Sequence, residues 1–313
     1  MCSSDLVDWT GILLLVAGLA SLQVVLEQGR QYDWFASAWI RQLSLLCAIA
    51  VPTFVWWEWR SPHPAVDLRV LRHRSLAAGS IFSMVLGMGL YGTVFVVPIF
   101  AQSVLHYTAT QTGLMMLPGA LASAVTMGVL GKNAHRFDPR LLILVGAAAM
   151  VATMLNLATI NPDSSDQSLY WPLILRGVTT VMMFLPLSLA TLGPLPREEV
   201  GAGSGFYNLT RQLGGSFGIA MLTVVLDHQQ AVHRSQLVEH LASTNPLLQQ
   251  RLAGMTSWLD GHANQALELL SLQVDRQAAL LAYADVFRLV ALVFALAIPL
   301  VLLLGKPSPQ GAP

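Results

Sequence analysis

Residues 75–131 read SLAAGSIFSMVLGMGLYGTVFVVPIFAQSVLHYTATQTGLMMLPGALASAVTMGVLG, without one Lys, Arg, Asp or Glu among them. As a single helix at about 1.5 Å per residue this stretch would run to about 85 Å, against a bilayer core of roughly 30 Å. It must fold back, and the polar segment His106-Tyr-Thr-Ala-Thr-Gln-Thr-Gly113 is where it can do so. Two membrane-spanning helices follow from the spacing of charge alone.

Working outward, the same length test finds eight spans of about 17–25 apolar residues. They lie near Trp9–Glu27, Gln42–Trp57, Leu76–Val104, Thr112–Gly131, Arg140–Ile160, Tyr170–Leu192, Gly201–Asp227 and Asp285–Gly305. The fold class is all-α: a polytopic membrane protein with eight transmembrane helices. Composition agrees, since 54% of residues are hydrophobic and 11% charged, where a soluble domain carries roughly a quarter charged. The formal net charge is zero, which gives no reason to expect a nucleic-acid partner. Cys2 and Cys47 stand far apart and make no disulfide framework.

Basic residues in the short loops set an expected orientation. One side carries Arg60, Arg69, Arg72, Arg74, Lys132, Arg136, Arg140, Arg197 and Lys306; the other side's short loops carry Arg30 and Arg41. The basic side reads as cytoplasmic, with both termini on it. Trp34, Trp39, Trp56, Trp57, Trp59, Tyr170 and Trp171 fall at span ends, as interfacial aromatics do. The segment from about His228 to Ala284 then lies outside. Its leucines recur near helical spacing, and Thr244-Asn245-Pro246 suits a cap and first-turn proline. It reads either as a solvated amphipathic hairpin or as a docking surface for an external partner.

The penultimate span carries the functional signal. On a wheel, Gly201, Ser204, Asn208, Arg211, Gly215 and Gly218 share one arc, opposite Phe206, Leu209, Leu213, Phe217 and Val224. Gly201/Gly205 and Gly214/Gly218 sit at the small-xxx-small spacing that allows close helix approach. Arg211 lies about 15 Å in from Gly201, near the bilayer middle. An arginine there faces a polar cavity, or is structural and bonded to freed carbonyls of a broken helix; the residues alone leave both open. Asn208, Arg211 and Gln212 are the candidate cavity residues, with Gly201, Gly205, Gly214, Gly215 and Gly218 as packing or hinge positions. Arg176, read as a few residues from the span end near Tyr170, is expected to reach outward to the interface.

For an enzyme, no paired histidines stand with a glutamate at metal spacing, and no phosphate-cradling glycine loop precedes Lys-Ser/Thr. His228, His233 and His240 with Glu239 match no zinc spacing. We expect no enzyme activity, no metal and no cofactor.

Several segments together resemble the fourteen-helix drug:proton antiporters (EmrB/QacA type) of the major facilitator superfamily. The stretch 192–218, LGPLPREEVGAGSGFYNLTRQLGGSFG, resembles that family's penultimate span. Asp8-Trp-Thr-Gly11, Leu26-Glu-Gln-Gly29 and Asp33-Trp34 resemble its seventh span and outer turn; Trp57-Glu-Trp-Arg60 and Pro64-Ala-Val-Asp-Leu68 resemble the link into its C-terminal bundle. Tyr107–Gly113 with Leu117-Pro118-Gly119 resembles the turn and span that follow. Gly131-Lys-Asn-Ala-His-Arg-Phe-Asp-Pro-Arg140 resembles the second copy of the superfamily's G-x-x-x-D-R loop, with Gly131, Arg136 and Arg140 in place but His135 where the motif has Asp.

The resemblance implies two linker helices (8–60), a cytoplasmic link (61–75), the six-helix C-terminal bundle (76–305, with external loop 228–284) and a cytoplasmic tail (306–313). Residues 1–7 resemble nothing in the family and read as a non-native or disordered start. The chain is then expected to be the C-terminal portion of a longer antiporter. The resemblance further implies a bacterial inner-membrane location, export of amphipathic, often cationic, drugs or dyes, the proton gradient as energy source, and a periplasmic adaptor with an outer-membrane channel. The alternative is a non-transporting membrane scaffold, or a half-transporter that needs a partner bundle.

Overall fold

The computed structural model describes residues 8–61, 66, 68–133, 137–159, 166–239, 241, 246–259 and 262–303. Nine α-helices are found among them, with no strand: α1 (Trp9–Gln28), α2 (Ala38–Arg60), α3 (Arg74–Ser103), α4 (Ala109–Asn133), α5 (Pro139–Leu157), α6 (Asp166–Leu192), α7 (Val200–Glu239), α8 (Pro246–Trp258) and α9 (Ala263–Ala297). All but α8 are long and apolar enough to cross a membrane.

The helix starts follow local chemistry. Asp8 caps α1 by accepting the Gly11 N–H at 2.8 Å, and its carboxylate also takes the Trp57 indole N–H at 2.9 Å, tying the start of α1 to the end of α2. Asp138 caps α5, with Pro139 in the first turn where a missing N–H costs nothing. The chain reverses between α3 and α4 at His106, whose φ of 59° is rare for a residue with a side chain.

Three expected boundaries move. The spans around α7 and α9 do not stop at the membrane: α7 runs to Glu239 and α9 begins at Ala263. At 40 residues α7 is about 60 Å long, twice the hydrocarbon thickness. The stretch 228–284 is therefore largely a continuation of two spans, with α8 starting at Pro246 between them; Thr244 and Asn245 lie outside the described residues. The last span keeps α-geometry only to Ala297 and continues as a 3₁₀ segment, Ile298–Leu303, because Pro299 has no N–H to donate.

The core lies where α3, α7 and α9 meet. Phe100 of α3 meets Tyr283 and Phe287 of α9 edge-on, at ring centroids 5.2 and 5.9 Å apart. α3 and α7 run parallel, both starting at the end that carries the α2–α3 link, here the basic end. α4 and α6 run parallel to each other from the opposite end, which carries α8. Helices α1 and α2 form a hairpin beside α7.

Candidate functional site

Two glycine seams hold the bundle and leave a cavity between them. In the first, a Cβ added at Gly214 would stand 2.1 Å from the Met84 carbonyl oxygen, and one at Gly218 2.5 Å from that of Met88. Gly87 answers from α3, where a Cβ would stand 2.2 Å from the Arg211 carbonyl oxygen. Backbone rests on backbone, which only residues without a side chain permit. In the second seam, a Cβ at Gly177 of α6 would stand 2.1 Å from the Gly119 carbonyl oxygen of α4, and one at Gly119 2.6 Å from that of Leu173.

Between the seams is a half-open cavity of about 540 Å³, walled by α3, α4, α6 and α7. Leu90, Val94, Met116 and Phe184 supply apolar surface; Tyr91, Thr93, Ser123 and Thr180 supply hydroxyls; Arg176 and Arg211 supply charge. The Ser123 and Thr180 hydroxyls donate to their own helices, at 3.0 Å to Gly119 O and 2.7 Å to Arg176 O. No Asp or Glu is among the described residues that line it.

The two arginines are held differently. Arg211 Nη2 donates to Asn208 Oδ1 at 2.8 Å, one turn back on α7. Its guanidinium carbon lies 4.6 Å from the Phe184 ring centroid, a stacking worth about 1–2 kcal/mol away from water. Arg176 has no such support: its Nη1 is buried without a hydrogen-bond partner among the described residues. Arg176, Thr180 and Phe184 stand at successive four-residue steps on α6, so they form one stripe about 12 Å long facing the cavity.

The sequence-selected positions fall in several places. Arg211 lines the cavity; Asn208 is exposed, braces Arg211 and donates to Ser204 O at 2.9 Å. Gln212 is exposed and is not among the lining residues. Gly214 and Gly218 lie in the first seam, while Gly215 sits under the Tyr91 ring, where an added Cβ would stand 2.6 Å from its Cδ2. Gly201 and Gly205 face open space, with nothing within 4 Å of an added Cβ. Gly131 closes α4, also in open space, and Arg140 sits in the first turn of α5. His135 and Arg136 lie outside the described residues.

Arg176 was missed as a cavity residue because the wall it joins is completed by Tyr91, Met116 and Arg211 of three other helices. The signal that could have found it was Gly177 beside it, at helical register with Thr180 and Phe184.

Glu27 and Asp227, which stand at span ends, join α1 to α7. Ser216 Oγ donates to Glu27 Oε1 at 3.2 Å, and Arg30 pairs with Asp227 at 2.5 Å. His233 meets Asp285 at 2.7 Å, with Arg288 on the same carboxylate at 2.9 Å; His240 lies outside the described residues. Among the described residues no three of His, Cys, Asp and Glu gather as a metal site would require.

A sequence profile of the Major Facilitator Superfamily matches residues 6–219. The chain is 29% identical over 303 residues to the multidrug export protein EmrB of Haemophilus influenzae, covering 96% of this chain and 59% of that protein. It is 29% identical over 309 residues to the multidrug export protein EmrB of Escherichia coli K12 (97% and 60%), and 26% identical over 306 residues to the fatty acid resistance protein FarB of Neisseria gonorrhoeae (97% and 60%). The chain thus spans about 60% of the length of these curated relatives. Among solved structures, a bacterial homologue of the human lysosomal transporter Spinster, inward-facing and unoccupied, aligns with a TM-score of 0.50 at 14% identity, over 95% of this chain and 71% of that one.

Proposed function

The chain belongs to the Major Facilitator Superfamily, and from that premise we propose that it supplies two linker helices and the C-terminal bundle of a proton-coupled multidrug exporter of the bacterial inner membrane. The observation that carries this reading is the cavity. An apolar space of about 540 Å³ among helices long and apolar enough to cross a membrane, with two guanidiniums in its wall, is costly to build and is what a binding site for an amphipathic molecule needs. The bundle rocks against a second bundle, and the cavity faces each side of the membrane in turn.

In this reading the basic end is cytoplasmic, by the excess of Arg and Lys in its short loops. Both termini lie on that side, and the extensions of α7 and α9 with α8 project outward, where a periplasmic adaptor leading to an outer-membrane channel would meet them. The proton gradient supplies the energy. The proton-carrying carboxylates belong to the first six-helix bundle of the family pattern; among the described residues that line this cavity there is no carboxylate. Asn208 and Phe184 fix the Arg211 guanidinium so that it presents donors to cargo without having to be ordered on binding.

The test is export by the intact transporter of the source cell. Arg211→Ala is expected to slow dye efflux about ten-fold or more, the order of one lost charge-assisted contact. Efflux of every tested dye at the parental rate would make Arg211 structural and remove it from the site. An immunoblot against α8 that finds a native product no larger than 313 residues would favour the half-transporter or scaffold reading instead.

A further inference from the structure

We propose that the crevice between the α1–α2 hairpin and α7 is a phospholipid site. It takes one acyl chain of an anionic phospholipid from the leaflet at the basic end, and that chain fills the joint between hairpin and bundle. The inference rests on the helices crossing a membrane and is independent of what the cavity carries.

Near its outer turn the hairpin is tied to α7 by polar links, Glu27–Ser216 and Arg30–Asp227. Toward the basic end the same helices stand apart. There Leu15 and Leu19 of α1 and Phe54 and Val55 of α2 face Phe206 and Leu209 of α7 across a half-open space of about 170 Å³. Val66, in the link that follows α2, completes the wall. The hairpin is tight within itself, since a Cβ added at Gly18 would stand 3.0 Å from Val51 Cγ2. That small residue serves α1 against α2, so it brings neither helix closer to α7.

The wall narrows the occupant. No polar side chain lines the crevice, so water finds no partner there and does not stay. Left empty, the crevice forfeits the dispersion contacts its walls would make. The occupant is therefore hydrocarbon, and between membrane-spanning helices the hydrocarbon at hand is an acyl chain. From Phe206 to Leu213 the crevice follows α7 for about 10 Å, the reach of part of one chain. Charge then selects the head group. The link that supplies Val66, residues 60–74, carries Arg60, Arg69, Arg72 and Arg74 against one acid, Asp67. The hairpin's own acids at that end are engaged: Asp8 takes the Trp57 indole N–H at 2.9 Å, and Glu58 takes the Val66 N–H at 3.3 Å. A phosphate of net negative charge is favoured beside such a link over a zwitterionic head group.

The experiment asks which lipid stays. The full chain is reconstituted in nanodiscs of phosphatidylglycerol or phosphatidylcholine, each with a trace of the same phospholipid carrying a diazirine midway along one acyl chain. It is then extracted, washed in a neutral maltoside detergent and illuminated, and labelled residues are located by peptide mass spectrometry. Label from phosphatidylglycerol is expected to persist at residues 14–19 and 206–213, about ten-fold above Leu141 and Val145, exposed residues of α5 outside the crevice. Phosphatidylcholine is expected to leave about ten-fold less label at the crevice. Leu209→Trp, which fills the crevice, should remove the retained label and leave labelling of α5 before the wash unchanged. Retained label no higher at the crevice than on α5 overturns the site and gives the crevice to a protein segment instead. Equal retention of the two lipids overturns the choice of an anionic head group. Neither result touches the export reading, which stands on the cavity. The comparison of segments in the unaltered chain decides the matter even if Leu209→Trp fails to fold.

Discussion

Toward α3, helix α7 presents Gly214 and Gly218, whose added Cβ atoms would stand 2.1 and 2.5 Å from carbonyl oxygens; toward α1 and α2 it presents Phe206, Leu209 and Leu213, which leave an apolar crevice of about 170 Å³. In sequence α1 and α3 are equally apolar, each with a mean hydropathy of 2.0 in its most apolar window. Yet half of the most apolar window of α3 is buried, against 22% for α1 and 17% for α2. Hydropathy measures whether a helix enters the membrane, not what it touches there. In lipid no hydrophobic drive separates packed from exposed surface, so close approach depends on small residues and polar links. The α3–α7 seam has the first. The α1–α2 hairpin is joined to α7 mainly by the second, through Glu27–Ser216 and Arg30–Asp227.

Glycine substitutions should break this comparison most sharply. At Gly214 a methyl group meets rigid backbone, so Gly214→Ala is expected to cost about 3 kcal/mol of bundle stability. At Gly18, between α1 and α2, the first atom met is the end of the Val51 side chain at 3.0 Å, and Gly18→Ala should cost about 1 kcal/mol or less. At Gly205 the space is open, and the better helix propensity of alanine should raise stability by up to about 1 kcal/mol. Unfolding in mixed micelles measures all three; equal losses at Gly214 and Gly205 would show that the seam is not tight.

The polar links should matter less. The side chains of Arg30 and Asp227 are 45% and 42% exposed, so a double-mutant cycle is expected to give a coupling of about 0.5 kcal/mol that shrinks with added salt. A coupling of several kcal/mol would mean the hairpin is held as firmly as α3.

The smallest effect expected is at the basic end. Glu199, in the α6–α7 loop, takes a hydrogen bond from His73 and pairs with Arg72 in the link that precedes α3. The His73 hydrogen bond holds its carboxyl below the ordinary glutamate value of 4.5, against an opposing effect of desolvation and with help from the Arg72 charge. A lowered carboxyl stabilises the fold above its unfolded pKa, and that contribution is lost as the pH falls through the folded value. The tie between link and loop should therefore be intact at neutral pH and loosen only in acid below the usual glutamate range. Limited proteolysis of the loop against pH, in the parent and in Glu199→Gln, measures it. A loosening centred near neutral pH would overturn the assignment of the transition to Glu199.

Much of the fold was legible because the membrane simplifies the problem. Backbone groups without water must pair within a helix, so runs of apolar residues and the charges that interrupt them count the spans and place the turn at His106. The α7 glycines were legible as a small face, but not which of them touch a partner. Gly201, Gly205, Gly214 and Gly218 read alike along the chain, and two of the four meet open space. Arg211 was conspicuous because it is costly. Arg176 was not, because the residues that wall the cavity with it, Tyr91, Met116 and Arg211 among them, come from three other helices.

The sequence by itself determined that the chain crosses a membrane as helices, how many spans it has, which end is basic and which family it resembles. These rest on the transfer cost of charge and backbone, which is local and adds along the chain. Only the tertiary structure decided that Gly119 and Gly177 make a second seam, that Arg176, Phe184 and Arg211 meet in one cavity, and that this cavity's described wall holds two cations and no acid. Those facts depend on how helices distant in the chain cross. Crossing is set by backbone contacts and side-chain shape that have no one-dimensional signature.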